Sequence, residues 1–160
     1  MSTGVNTTNL TETEGKFKIT IVDSAAELQR AFSVLKELRT HLQFEEFLEI
    51  YEHAQVDQYK IAAIESHYRY VAVMGYRVLH DCVHGKHLYV DDLVTTHDLR
   101  GQGFGAQLLK FAESEAGRLS CTGLRLCTGA ENEAGKRFYE REGWTLRALV
   151  FKKKRGAPRK

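Results

Sequence analysis

The sequence predicts an α/β fold around a mixed sheet. Two observations carry this. Some segments alternate apolar and polar residues, others repeat apolar residues at helical spacing, and they follow in the order strand, two helices, three strands, helix, strand, helix, strand. The chain has 160 residues, 42% of them hydrophobic, which suits one domain with a core of its own.

Phe17-Lys18-Ile19-Thr20-Ile21 alternates as a half-buried strand does. Ser24 is placed to cap a helix in which Leu28, Phe32, Leu35, Leu38 and Leu42 recur on one side. A second helical stretch carries Phe44, Phe47, Leu48 and Tyr51, with Glu45, Glu46, Glu49 and Glu52 as a solvated acidic face. Residues 59–65 and 69–79 are rich in Ile, Val, Ala and Tyr and are joined around Ser66-His67-Tyr68, so they read as antiparallel neighbours. Residues 87–95 form the next strand, with Leu88, Val90, Leu93 and Val94. A glycine-rich segment leads into a helix with Leu108, Leu109, Ala112 and Ala116 inward. Leu124-Arg125-Leu126-Cys127 is a short strand, residues 131–142 a helix ended by Gly143, and residues 144–151 a final strand region. No repeat and no internal domain boundary appears, so residues 16–151 read as one domain.

Charge and composition narrow the function classes. The formal net charge is +2, but the basic residues Lys152, Lys153, Lys154, Arg155, Arg159 and Lys160 at the end of the chain set its sign. Residues 152–160 read as a basic tail that aids solubility; without interleaved aromatics it argues against nucleic-acid binding. Residues 1–15 read as a polar, flexible leader with no apolar signal region, and no run approaches the ~20 apolar residues that cross a bilayer. Cys82, Cys121 and Cys127 are too few and odd in number for a disulfide framework. Together these predict a cytoplasmic protein without a membrane partner.

The most informative segment is Arg100-Gly101-Gln102-Gly103-Phe104-Gly105-Ala106. Glycines at alternate positions remove the Cβ atoms that keep a ligand from the backbone. Just before a helix, the amides of Gln102 to Ala106 lack intrahelical partners and sit at the positive end of the helix dipole. A phosphate or pyrophosphate is the natural occupant, and an ordinary glycine turn is the alternative. A Walker A loop is excluded because no Gly-Lys-Ser/Thr ending follows. Gly101, Gly103 and Ala106 satisfy the dinucleotide pattern G-x-G-x-x-A, but too little chain follows and Leu126 stands where that pattern needs an acid.

The same segment matches the Arg/Gln-x-x-Gly-x-Gly/Ala signature of the GNAT superfamily of N-acetyltransferases. Further on, Asn132-Glu133-Ala134-Gly135-Lys136-Arg137-Phe138-Tyr139 with Gly143-Trp144 resembles the family block Asn-x-x-Ala-x-x-Phe-Tyr-x-x-x-Gly-Phe, with Gly135 for the usual Ala and Trp144 for the usual Phe. The resemblance covers roughly residues 17–151 in element order and is sharp from Leu88 to Trp144.

The resemblance implies a mostly antiparallel central sheet of about six to seven strands, flanked by about four helices, with a splayed pair of parallel strands. It implies acetyl-CoA as acyl donor, an amine acceptor, no metal, and direct transfer in a ternary complex without an acetylated cysteine, which leaves Cys127 as a small buried residue. Homodimerisation is common in the family. The cofactor arm would run beside Leu93, Val94 and Thr95, pairing with the backbone of Leu93 and Thr95. Arg100, Gly101, Gln102, Gly103, Phe104, Gly105 and Ala106 would take the pyrophosphate, and Asn132, Lys136 and Phe138 would border the cofactor. Asn132 also reads as a helix N-cap.

Tyr139 is the candidate general acid for the departing thiolate, or else a core aromatic beside Phe138. Asp91 and Asp92 are candidates for the base or for an ammonium anchor. Strand alternation is expected to send them to opposite faces, so that only one lines the cleft. A non-catalytic acyl-CoA-binding module is the competing reading. Finally, His80, Cys82 and His84 would share a face if extended, an arrangement open to zinc, against the plainer reading of a hydrated hairpin tip.

Overall fold

A computed structural model describes residues 17–156, which fall into two compact units that change over between Leu126 and Cys127. The predicted leader, and the last residues of the basic tail, lie outside the described residues.

The first unit contains β1 (Ile19–Val22), α1 (Ala25–Leu35), α2 (Phe44–Ala54), a 3-10 turn (Gln55–Asp57), β2 (Lys60–Ser66), β3 (Arg69–Asp81), β4 (Gly85–Thr95), α3 (Phe104–Arg118) and β5 (Gly123–Leu126). Its strands form one sheet in the order β1-β2-β3-β4-β5. Every pairing is antiparallel except β4 with β5, which is parallel. The mixed, mostly antiparallel sheet and its parallel pair are as expected.

Ser24 starts α1 as predicted. Its hydroxyl accepts from the Glu27 amide at 3.3 Å, and the Glu27 carboxylate accepts from the Ser24 amide at 3.2 Å, a reciprocal cap. The central strands are apolar on both faces because both are covered. Ala62, Ile64, Met74, Tyr76, Leu88 and Val90 pack against Phe104, Leu108, Phe111 and Ala112 of α3. Ile61, Ala63, Val73 and Val94 pack against Leu28, Phe32, Leu35 and Phe47 of α1 and α2. The four glutamates of α2 are exposed, as a solvated face requires.

The second unit contains α4 (Glu133–Arg141), shorter at both ends than the predicted helix. Two expectations are corrected here. The sheet has five strands among the described residues, fewer than about six to seven, and residues 144–151 form no strand. A strand needs a partner for its backbone groups, and the unit that carries this segment contains no strand among its described residues. Leu146, Leu149, Val150 and Phe151 are accordingly exposed. No helix among the described residues is long and apolar enough to cross a membrane.

Candidate active site

Strand β4 organises the candidate site in the first unit. Its first half is paired on both sides, with β3 and with β5, but the ladder to β5 ends at Val90↔Leu126. From Asp91 to Thr95 the strand keeps β3 on one side and has no strand on the other among the described residues. Leu93, Val94 and Thr95 lie on this open stretch.

The change coincides with a bulge. Gly75 pairs with Asp92 and Tyr76 with Val90, so Asp91 is the extra residue with no partner on β3. The bulge slips the side-chain alternation by one. Val90 and Leu93 both join the α3 cluster, and both acidic side chains reach groups on the other face. The expectation that Asp91 and Asp92 point to opposite faces is therefore corrected: alternation holds only in an unbulged strand.

Five residues surround the pair. Arg39, in the α1–α2 connection, donates from Nε to Asp92 Oδ1 at 2.7 Å and from Nη2 to the Asp91 carbonyl at 3.2 Å. The Tyr59 hydroxyl donates to Asp92 Oδ2 at 3.3 Å. Arg77 Nε donates to Asp91 Oδ2 at 2.9 Å, and its Nη1 lies 3.0 Å from Asp57. The fifth is Gly75: a Cβ there would stand 2.0 Å from the Tyr59 hydroxyl, so the ring crosses the strand where no side chain exists. Burial pushes the Asp91 carboxyl up despite the neighbouring Arg77. Burial also pushes the Tyr59 phenol well up, helped by the negative charge of Asp92. Asp57 and Arg77 open onto a cleft of about 330 Å³ that Lys60, His80 and Lys86 also line.

None of Arg39, Tyr59, Arg77, Asp57 or Gly75 was singled out from sequence. The one available signal was Gly75 itself, a glycine inside a strand pattern, which marks a bulge or a close approach.

The glycine turn follows β4. Gly101 and Gly103 have φ of +77° and +89°, left-handed values that favour glycine. A Cβ on either would meet nothing within 4 Å, so the chain itself does not crowd them. Gly103 is the N-cap of α3, and no side chain caps that helix or places an acid in its first turn. Arg100, Gly101, Gln102 and Gly103 are exposed, with Gly105 and Ala106 half-buried behind them. Arg100 Nε donates to the Thr95 carbonyl at 3.2 Å. Phe104 is buried and packs on Phe17 with ring centroids 4.5 Å apart, which anchors the start of the helix.

In the second unit Asn132 caps α4. Its Oδ1 accepts from the Gly135 amide at 3.0 Å and its Nδ2 donates to Thr128 at 2.9 Å. A Cβ at Gly135 would come within 2.4 Å of Asn132 Nδ2, which accounts for glycine at that position. Lys136 pairs with Glu133 at 2.7 Å. Tyr139 stands between Phe138 and Trp144, with centroid distances of 5.1 and 6.3 Å, and burial pushes its phenol up. Cys127 is exposed, not buried as expected: it follows the last residue of β5 and belongs to no element.

The histidine-rich segment forms a hairpin tip, the plainer of its two readings. Cys82, Val83 and His84 form the turn between β3 and β4, so His80, Cys82 and His84 share no strand face. Asp81 holds this turn by accepting from the Val83 and His84 amides at 2.8 and 2.7 Å, bonds that lower its pKa to about 2. No group of three or more His, Cys, Asp or Glu placed to hold a metal is found among the described residues.

The model of the acetyltransferase (GNAT) family matches residues 24–144. An uncharacterized N-acetyltransferase, YhdJ of Bacillus subtilis (strain 168), is 30% identical over 132 residues, covering 81% of this chain and 93% of the relative. Among solved structures, the aminoglycoside N-acetyltransferase AAC(6')-Iy in complex with CoA superposes with a TM-score of 0.75 at 16% identity, over 90% of this chain and 99% of that one. A transcriptional regulator from Bacillus halodurans C-125 gives 0.74 at 18% identity, over 85% and 99%. At these identities the two structures show the fold alone.

Proposed function

The chain belongs to the acetyltransferase (GNAT) family and is an N-acetyltransferase, and from that premise we propose direct transfer from acetyl-CoA to a small-molecule amine in a ternary complex. The observation that most supports this is the unpaired stretch of β4 leading into an uncapped helix N-terminus. An extended ligand with amides can pair with such an edge, and its phosphates can rest on free helix amides. The residues present therefore fit acetyl-CoA.

In this reading the backbone of Leu93, Val94 and Thr95 lines the pantetheine arm. The turn from Arg100 to Ala106 holds the pyrophosphate through its amides. Asn132, Lys136 and Phe138 border the cofactor, roles taken from their match to the family block. A thioester supplies an electrophilic carbonyl carbon and a thiolate leaving group.

Of the two acids, Asp91 is the proposed base. Among the described residues no hydrogen bond reaches its Oδ1, and burial raises its pKa, which strengthens it as a proton acceptor. It takes the proton from the acceptor ammonium, directly or through water. The amine nitrogen then bonds to the carbonyl carbon, the C–S bond breaks, and the nitrogen gives its second proton to solvent water, to which Asp91 also returns the first. Tyr139 protonates the departing sulfur and recovers its proton from solvent. Unperturbed pKa values of ~10 for a phenol and ~8.5 for a thiol allow that step. Its raised pKa keeps Tyr139 protonated beyond its ordinary 10.0, so activity should persist into alkaline solution.

A cytoplasmic location, where Cys82, Cys121 and Cys127 stay reduced, belongs to the same proposal, as does a homodimer. The test is thiol release from acetyl-CoA with a panel of polyamines, aminoglycosides and peptide N-termini. Release with small amines is expected, and Tyr139→Phe should lower kcat far more than acetyl-CoA affinity. Acetyl-CoA binding with no release from any amine would favour the non-catalytic module.

A further inference from the structure

The two adjacent carboxylates are not equivalent. Asp92 has both oxygens engaged, Oδ1 by Arg39, whose Nη2 lies 2.6 Å away, and Oδ2 by the Tyr59 hydroxyl. Its side chain is 13% exposed, against 24% for Asp91. Among the described residues Asp91 is bound through one oxygen only, and its backbone carbonyl, on the residue without a β3 partner, is taken by Arg39. Arg39 thus ties together the carboxylate of one residue and the carbonyl of the other.

We propose that Arg39, Tyr59 and Asp92 form a clamp that fixes the β4 bulge, with Asp92 a positioning residue that aims Asp91 rather than a proton acceptor. Three separate parts of the chain meet on this point: the α1–α2 connection, the residue before β2, and β4 itself. Gly75 supports the assignment from below, because any side chain opposite Asp92 would displace the Tyr59 hydroxyl. The raised Tyr59 pKa keeps that hydroxyl a donor throughout the working range. With both oxygens of Asp92 occupied and little solvent around them, a proton arriving there would have to break a charge-assisted bond. Asp91 Oδ1 offers a site with no such cost. The proposal rests on the reading of Asp91 as the base.

The test uses the full chain and the best amine from the panel, with kcat, KM and the pH profile measured for Asp91→Asn, Asp92→Asn, Arg39→Met and the double Arg39→Met/Asp92→Asn. Asp91→Asn should lower kcat/KM about 10²–10⁴-fold and remove the acid limb. Asp92→Asn and Arg39→Met should each lower kcat about tenfold, leave acetyl-CoA affinity unchanged and retain the acid limb. The double variant should be no worse than the poorer single one, because both remove the same unit. Loss of the acid limb in Asp92→Asn but not in Asp91→Asn would overturn the proposal, as would additive losses in the double variant. If the wild-type chain acetylates no amine, the function reading fails separately, and thermal unfolding decides the clamp. The double variant should then match the less stable single variant in Tm, whereas additive Tm losses would reject the clamp.

Discussion

The two halves of β4 differ in everything except their continuity. From Gly85 to Val90 the strand is paired on both sides, and Leu88 and Val90 are buried in the α3 cluster. From Asp91 to Thr95 it is paired on one side, bulged, acidic and half-buried apart from Val94. The first half supplies packing, and the second leaves backbone groups and one carboxylate oxygen, Asp91 Oδ1, available. One inserted residue, Asp91, separates the two regimes.

That contrast can be broken from either end. The largest effect is expected from Leu88→Ala in the paired half. Leu88 is fully buried, and the substitution should cost about 2–5 kcal/mol of stability by chemical denaturation, with acetyl-CoA affinity per folded molecule unchanged. Leu93→Ala, on the same face but in the open half, should cost less stability and should weaken acetyl-CoA instead. Equal stability losses without an affinity change would erase the distinction.

Gly103→Val sharpens the comparison at the end of the open half. A branched residue at φ +89° costs about 1–2 kcal/mol, and its side chain would stand where the chain leaves space. Calorimetry should show acetyl-CoA affinity falling by about tenfold or more, with Tm only slightly reduced. Unchanged affinity would detach the turn from the phosphate.

The smallest effect is a pH dependence of stability from Asp91. Its native pKa lies above the ordinary 3.8, so the folded state binds the proton more tightly than the unfolded one. Its contribution to stability is present below 3.8 and is lost as pH rises through the native value. Asp91→Asn should flatten that part of the stability curve.

The same contrast explains what could be read from sequence. Strands β2 to β4 were legible because a sheet covered on both faces writes itself as near-continuous apolar runs. The glycine turn was legible because positive φ and an uncapped helix start are local demands. The common face of Asp91 and Asp92 was not, because it depends on Gly75, a cross-strand neighbour, and on a ring arriving from Tyr59. Arg39 looked like any polar residue after an amphipathic helix; its role appears only once the α1–α2 connection meets β4. Residues 144–151 show the opposite failure: they read as a final strand region, but strand formation needs a partner that local sequence does not reveal, and none of them is in a strand.

The strand order carries a further consequence, for the time course of folding. Spatial order equals chain order across the whole sheet, so each antiparallel pairing joins consecutive strands, and β3 and β4 meet through a turn of only Cys82 to His84. Such short closures are entropically cheap and fast. The parallel pairing of β5 must await α3, which separates it from β4. The meander of β2, β3 and β4 can therefore assemble early, and the strand edge on which chemistry is proposed is defined only when the last strand arrives and stops short.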